Sequence, residues 1–171
     1  VLDTLSNSPA GSLQRVAAIT GQTIPFHQGD VRNSGDLQAV FSKYPIEGVI
    51  HFAGLKAVGE SVQQPLRYYE NNVGGTIALC QVMQQFGCQT IVFSSTATVY
   101  GDPAVIPVPE NAPLAPSSPY AHSKLMVEQC LRDVYVSNPD WKIALLRYFN
   151  PVGAHPSGLI GEHPNGVPNN L

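Results

Sequence analysis

The chain has 171 residues, 43% of them hydrophobic, and a formal net charge of −3 at pH 7. That suits one domain with a real core and is too apolar for a disordered segment. The negative balance and the lack of any basic run exclude a nucleic-acid binder held by phosphate contacts, and the apolar stretches are too short to span a bilayer.

In chain order, Val1-Leu2-Asp3 reads as the end of a strand already under way, with a polar loop over 4–9. A helix is predicted from Ser12 through Leu13, Val16, Ala17 and Ile19, with Gly21 as its stop signal. Residues 23–27 can form a strand, limited to an edge by Pro25. A turn over 29–32 leads to a helix over 35–43, with Leu37, Val40 and Phe41 inward and Pro45 as its breaker. Residues 48–54 are a short apolar run flanked by glycines, the pattern of a buried parallel strand. A polar segment reaches Gln64, and a long helix is predicted over 65–86, ended by Gly87. Gly74-Gly75 in its middle costs about 1 kcal/mol per Gly against Ala, so it implies close packing or a kink.

A strand over 90–95 follows, then a loop over 102–116 that holds five of the fifteen prolines. Ser117 or Ser118 can cap the next helix, and Pro119 suits its first turn. Leu125, Met126, Cys130, Leu131 and Tyr135 continue it near a period of 3.6 to about Ser137. A last strand is predicted over 142–149, and 150–171 shows no clear periodicity. Strands alternating with helices predict an α/β fold with a parallel sheet.

Such sheets bind ligands at the carboxyl ends of their strands. Asp3, Asp30, Ala53-Gly54, Ser94-Ser95-Thr96 and Asn150 all fall there. Tyr120 and Lys124 are four apart, on one helix face, one turn from its start. An ammonium near a phenol favours the phenolate, which is one way to bring a Tyr toward acid–base work near neutral pH. Taken alone, such a pair is more often two surface neighbours. The five His show no ligand spacing, so no metal is expected. Cys80, Cys88 and Cys130 are odd in number and lack metal spacing, which points to a reducing, cytoplasmic setting.

Five stretches occur together: Leu2-Asp3, Gly29-Asp30-Val31, the run from His51 to Lys56, the run from Phe93 to Gly101, and Tyr120 with Lys124. In this order and spacing the chain resembles the extended short-chain dehydrogenase/reductases. Three details, the runs 52–61 and 146–154 and Pro168-Asn169-Asn170-Leu171, are similar to the branch of that family whose members invert C4 of UDP-sugars. The resemblance implies a Rossmann-like doubly wound parallel sheet and tightly bound NAD. It also implies a homodimer, with the helices 65–86 and 119–137 pairing as a four-helix bundle. The implied reaction interconverts UDP-glucose and UDP-galactose through a transient 4-keto sugar. Two other readings stay open: an epimerase of an N-acetylated or pentose UDP-sugar, and a nucleotide-sugar 4,6-dehydratase. Dehydratases of this fold tend to carry an Asp-Glu pair after the Thr, where this chain has Ala97 and Thr98. A non-catalytic NAD sensor would not need Thr96, Tyr120 and Lys124 together.

Residue by residue, the resemblance implies that Thr96, Tyr120 and Lys124 are catalytic. It places Asp3 on the adenosine ribose, Asn7 and Ser8 in the adjoining loop, and Asp30 and Val31 beside the adenine. Phe52, Ala53, Gly54, Lys56 and Asn71 are further cofactor contacts, and Phe149 borders the nicotinamide with Pro151. Lys56, Thr96 and Tyr120, with Asn150, Asn169, Asn170 and Leu171, approach the UDP-sugar. The family often has Ser where this chain has Thr96, and either hydroxyl can donate and accept.

No Gly-x-x-Gly-x-x-Gly loop is present. Residues 1–171 are therefore expected to form a partial NAD-binding domain, without the first strand and helix, with 150–171 leading into the substrate-binding region. Without the phosphate loop the chain alone is expected to bind NAD weakly and to be inactive, with Val1–Asp3 loosely held or the sheet rearranged.

Overall fold

The structure is a computed structural model that describes residues 1–161. The chain divides into two compact units, one of Val1–Asp30 with the chain from Asn150 onward, the other Val31–Phe149.

In the first unit, β1 (Leu2–Asp3) pairs in parallel with β2 (His27–Gln28), Leu2 opposite His27 and Asp3 opposite Gln28. Between them runs α1 (Gly11–Thr20). Gly21 ends α1 in the left-handed region at φ 70°, its N–H returning to the Ala17 carbonyl at 2.8 Å. The pairing differs from the predicted strand over 23–27. Pro25 has no N–H to give, so its carbonyl instead accepts from the Val1 amine at 2.8 Å and the ladder begins two residues later. Val1–Asp3 is not loose: the N–H groups of His27 and Gly29 donate to the Val1 and Asp3 carbonyls at 2.9 and 3.1 Å.

The second unit holds a parallel sheet of β3 (Val49–His51), β4 (Thr90–Thr96) and β5 (Lys142–Tyr148), with β4 in the centre. The helix α2 (Ser34–Lys43) starts where the Asn33 side chain accepts from the Gly35 N–H. It carries Asp36 in its first turn and Lys43 in its last, as its dipole favours. The sequence predicted β3 as a fully buried strand, and only His51 is buried. Ile50, on the opposite face, is 67% exposed, so that face of β3 is uncovered.

A short helix α3 (Val58–Gln63) lies in the stretch read as a polar segment. Its apolar Val58 and Val62 are exposed, so the usual periodic signal is absent. Polar contacts hold it instead. The Tyr68 hydroxyl donates to the Ala57 carbonyl at 2.8 Å and to Glu60 at 2.7 Å, and Arg67 pairs with Glu60 at 2.6 Å.

The long helix predicted over 65–86 is three pieces: α4 (Pro65–Tyr68), a π-helical turn (Tyr69–Gly74) and α5 (Gly75–Gln85). Gly75 is the close-packing position. A Cβ there would sit 2.7 Å from Val31 Cγ1.

The last helix, α6 (Pro119–Ser137), starts on Ser118, whose hydroxyl accepts from the Ala121 N–H. It buries Tyr120, Lys124, Val127, Glu128 and Leu131, a face of period four that packs on β4 and β5. Ile91 and Phe93 of β4 meet it in the core with Val127 and Leu131. Burying each such apolar side chain fully is worth about 1.5–3 kcal/mol, which holds α6 on the sheet without its polar residues. No described helix is long and apolar enough to cross a membrane.

Candidate active site

The carboxyl end of β4 meets the start of α6. Thr96, the last residue of β4, opens a 3-10 turn (Ala97–Tyr100), and its hydroxyl accepts from the Thr98 N–H at 3.2 Å. The same oxygen lies 3.0 Å from the Thr98 hydroxyl, and the Tyr120 phenol stands beside the Thr96 side chain, near enough for it to act on the phenol's titration. One turn along α6, Lys124 is only 5% exposed. Its ammonium donates to the Ser94 carbonyl at 2.8 Å and stands 4.8 Å from the centre of the Phe93 ring. The structure thus brings Thr96, Tyr120 and Lys124 together.

The electrostatics differ from the sequence expectation that Lys124 lowers the Tyr120 pKa. Burial raises Tyr120 above its ordinary value, and the Thr96 side chain offsets part of that rise. The Lys124 charge is turned toward the Ser94 carbonyl. Burial also lowers Lys124 to about 8, so its charge is held only weakly in this water-poor place. Among the described residues Lys124 has no carboxylate partner, and one acceptor serves its three N–H donors. Two donors remain for a ligand rich in hydroxyls.

Gly54 follows β3 and borders this amine. A Cβ on Gly54 would lie 3.3 Å from Lys124 Nζ and 3.3 Å from Asn72 Oδ1. Only a glycine lets backbone, amine and amide converge without one of them giving way. Asn72, not singled out in the sequence, is the hub. Its Oδ1 accepts from the Leu55 N–H at 2.8 Å. Its Nδ2 donates to the Leu55 carbonyl and to Ser123 Oγ, both at 3.0 Å, and Ser123 Oγ donates to the Tyr120 carbonyl at 2.7 Å. The π turn turns Asn72 inward, while its expected neighbour Asn71 donates to Asn72 Oδ1 at 3.0 Å. The doubled Asn ahead of Gly74-Gly75 was the available signal. Below it His51 Nε2 donates to Thr76 Oγ1 at 2.9 Å, since that hydroxyl gives its own proton to the Asn72 carbonyl at 2.6 Å. Burial, aided by the Lys124 charge, lowers His51 to about 4 and keeps it neutral.

The other expected site residues fall as follows. Phe52 and Phe149 are exposed at the ends of β3 and β5, with the Phe52 ring 6.4 Å from that of Tyr148. Ala53 and Lys56 are exposed on the loop after β3, and Val31 is buried against α5. In the first unit Asp3 ends β1 and accepts from the Leu5 N–H at 2.7 Å, Asn7 and Ser8 lie in the loop that follows, Asp30 follows β2, and Asn150 and Pro151 are exposed. Asn169, Asn170 and Leu171 lie outside the described residues.

A parallel α/β sheet here carries a hydroxyl, a phenol and a buried amine at one strand end, the place where sheets of this kind bind ligands. The family comparison agrees: the model of the NAD dependent epimerase/dehydratase family matches residues 1–167, and the chain belongs to that family. Within it, the chain is similar to the UDP-glucose 4-epimerase of Bacillus subtilis (strain 168), 56% identical over 171 residues, covering 100% of this chain and 50% of that protein. UDP-glucose 4-epimerase 2 of Arabidopsis thaliana is 55% identical over 174 residues, with the same coverage. Among solved structures, UDP-glucose 4-epimerase from Bifidobacterium longum in complex with NAD+ and UDP superposes with a TM-score of 0.96 at 51% identity, over 99% of this chain and 51% of that one. The fold is therefore Rossmann-like, as expected, and the chain spans about half the length of the relatives it matches.

Proposed function

We propose that the full-length protein is an NAD-dependent 4-epimerase that interconverts UDP-glucose and UDP-galactose. The observation that carries this reading is the Thr96–Tyr120–Lys124 group, with a buried amine that keeps two donors free. The relatives named UDP-glucose 4-epimerase, and the neighbour solved with NAD+ and UDP, support it.

The residues fit the cofactor. Lys124 holds the hydroxyls of the nicotinamide ribose, Gly54 gives the close approach, and Phe149 borders the nicotinamide ring. On the adenosine side, Asp3 takes the ribose hydroxyls, Asn7 and Ser8 belong to the loop that follows it, and Asp30 and Val31 flank the adenine. Phe52, Ala53, Lys56 and Asn71 complete the cofactor wall. NAD, when bound, supplies the acceptor and donor of hydride at C4. Tyr120, as the phenolate, takes the proton of the C4 hydroxyl and later returns it, and the Thr96 hydroxyl supports that phenolate before the transfer. Lys56, Asn150, Asn169, Asn170 and Leu171 approach the UDP-sugar.

The protein works as a cytoplasmic homodimer in this reading. Its support is an apolar groove of about 170 Å³ between α5 and α6, lined among others by Val73, Ile77, Val127 and Val134, together with three free cysteines.

The test is turnover of UDP-galactose by the full-length protein, with Tyr120→Phe beside it. Phe keeps the ring and loses only the proton carrier, so the variant is expected to retain NAD and lose nearly all activity. Near-normal turnover in that variant would remove Tyr120 from the mechanism.

A further inference from the structure

Glu128 lies on the same face of α6 as Tyr120 and Lys124, one turn beyond the lysine and two beyond the tyrosine, and it is 0% exposed. Its carboxylate accepts four hydrogen bonds: Ser95 Oγ at 2.6 Å, Arg147 Nε at 2.8 Å, Arg147 Nη2 at 2.6 Å and Arg132 Nη2 at 3.2 Å. The Arg147 pair is a bidentate fork from β5. Burial pushes the Glu128 carboxyl up. The hydrogen bonds from Arg147 and Ser95 and the charges of Arg147 and Arg132 outweigh it, so Glu128 stays ionised below the usual carboxylate range.

Three consecutive residues of β4 therefore meet three residues of α6 spaced by four. Ser94 takes Lys124 through its carbonyl, Ser95 gives its hydroxyl to Glu128, and Thr96 stands beside Tyr120. Two of these rungs are the reacting groups themselves. Only the middle rung is not part of the chemistry, and it is the one clamped by a charged fork. The same Arg147 donates through Nη1 to the Tyr100 hydroxyl at 2.8 Å and to the Glu110 carbonyl at 3.3 Å, tying in the turn after Thr96 and the proline-rich loop.

We propose that Glu128 is a positioning residue: clamped between Ser95 and Arg147, it fixes the register of α6 against β4 and so holds Tyr120 and Lys124 in place against Thr96. A buried ion pair of this kind is weak evidence for stability and better attested as a register device. The proposal rests on the catalytic reading of Thr96, Tyr120 and Lys124 given above.

The experiment uses the full-length protein loaded with NAD. Glu128→Gln keeps the shape and places an amide against the Arg147 fork. Ser95→Ala removes one hydroxyl and nothing else, and decides the matter if the first variant does not fold. Both are expected to lower kcat for UDP-galactose, Glu128→Gln by about a hundredfold and Ser95→Ala by about tenfold, as small misplacements of reacting groups do. KM is expected to stay within about twofold, because neither Glu128 nor Ser95 is among the residues placed on the UDP-sugar. The acid limb of the kcat profile is expected to move alkaline, since a Tyr120 parted from Thr96 loses the neighbour that offsets its burial. Ultraviolet difference titration against Tyr120→Phe reads the same shift without any sugar. It therefore separates failure of this proposal from failure of the substrate reading. A fall in Tm with kcat and both pH readouts unchanged would overturn the proposal and leave Glu128 as a structural ion pair.

Discussion

Replacing Gly75 by Ala in the full-length protein would place a methyl 2.7 Å from Val31 Cγ1, closer than carbon atoms come without something shifting. Val31 is β-branched and buried, so it has little rotamer freedom with which to retreat. Overpacking of this kind costs roughly 1–3 kcal/mol. Ala at a helical position returns about 1 kcal/mol over Gly. The net expectation is a destabilisation of about 0–2 kcal/mol where propensity alone predicts a gain. Val31→Ala removes two methyls, each worth about 0.8 kcal/mol, and opens the space that the new methyl needs. The double variant should therefore be more stable than the sum of the two singles by about 1–2 kcal/mol. Urea unfolding of the parent, both singles and the double closes the cycle. Additivity within about 0.5 kcal/mol, or a single Gly75→Ala variant stabilised by the whole propensity gain, would refute the packing argument.

Thr96→Val should shift the acid limb of activity to higher pH, because burial then raises Tyr120 unopposed; an unmoved limb in a pH–rate profile would separate Thr96 from the phenol. Lys124→Met should weaken NAD retention, read by the cofactor left after gel filtration. It should also flatten the stability profile of the apoprotein. Lys124 falls from 10.5 to about 8 on folding, so the unfolded chain binds more protons between those values and parent stability rises with pH across that window, while the variant should lack the rise. Ile77→Glu, at the groove between α5 and α6, should give a monomer in sedimentation velocity, and an unchanged dimer would move the proposed interface elsewhere.

The parts of this molecule that the sequence made legible are those where one residue type has one physical use. Gly21 and Gly87 both mark helix ends, and both adopt φ of 70°. Ser118 caps α6 and Pro119 opens it, as their chemistry predicts. Tyr120 and Lys124 share a face by helical period alone. What the sequence hid depends on partners far along the chain. The pattern over 65–86 is helical throughout, and nothing in it distinguishes an α turn from a π turn. The extra residue is set by Asn72 reaching Leu55 and Ser123, 17 and 51 positions away. Helix α3 was missed because its apolar residues face outward and polar contacts from Arg67 and Tyr68 hold it. The Tyr120 pKa was misread for a similar reason. Spacing on a helix places the ammonium near the phenol, but the Ser94 carbonyl on another element decides where the ammonium points.

The π turn also sets which changes of chain length this protein can absorb. A π turn holds one residue more than the α turn it replaces. Removing any one residue from 69–74 would let α4 and α5 join as a regular helix, at no cost in backbone hydrogen bonds. One full turn is completed with either count, so the residues on both sides would keep their faces and only those inside 69–74 would be re-aimed. Asn72, inside the turn, would leave Leu55 and Ser123, while Tyr68, ahead of it, would keep Ala57 and Glu60. The deleted form would be the better helix and the poorer enzyme. In a random deletion library, single losses in 69–74 should yield folded, inactive protein.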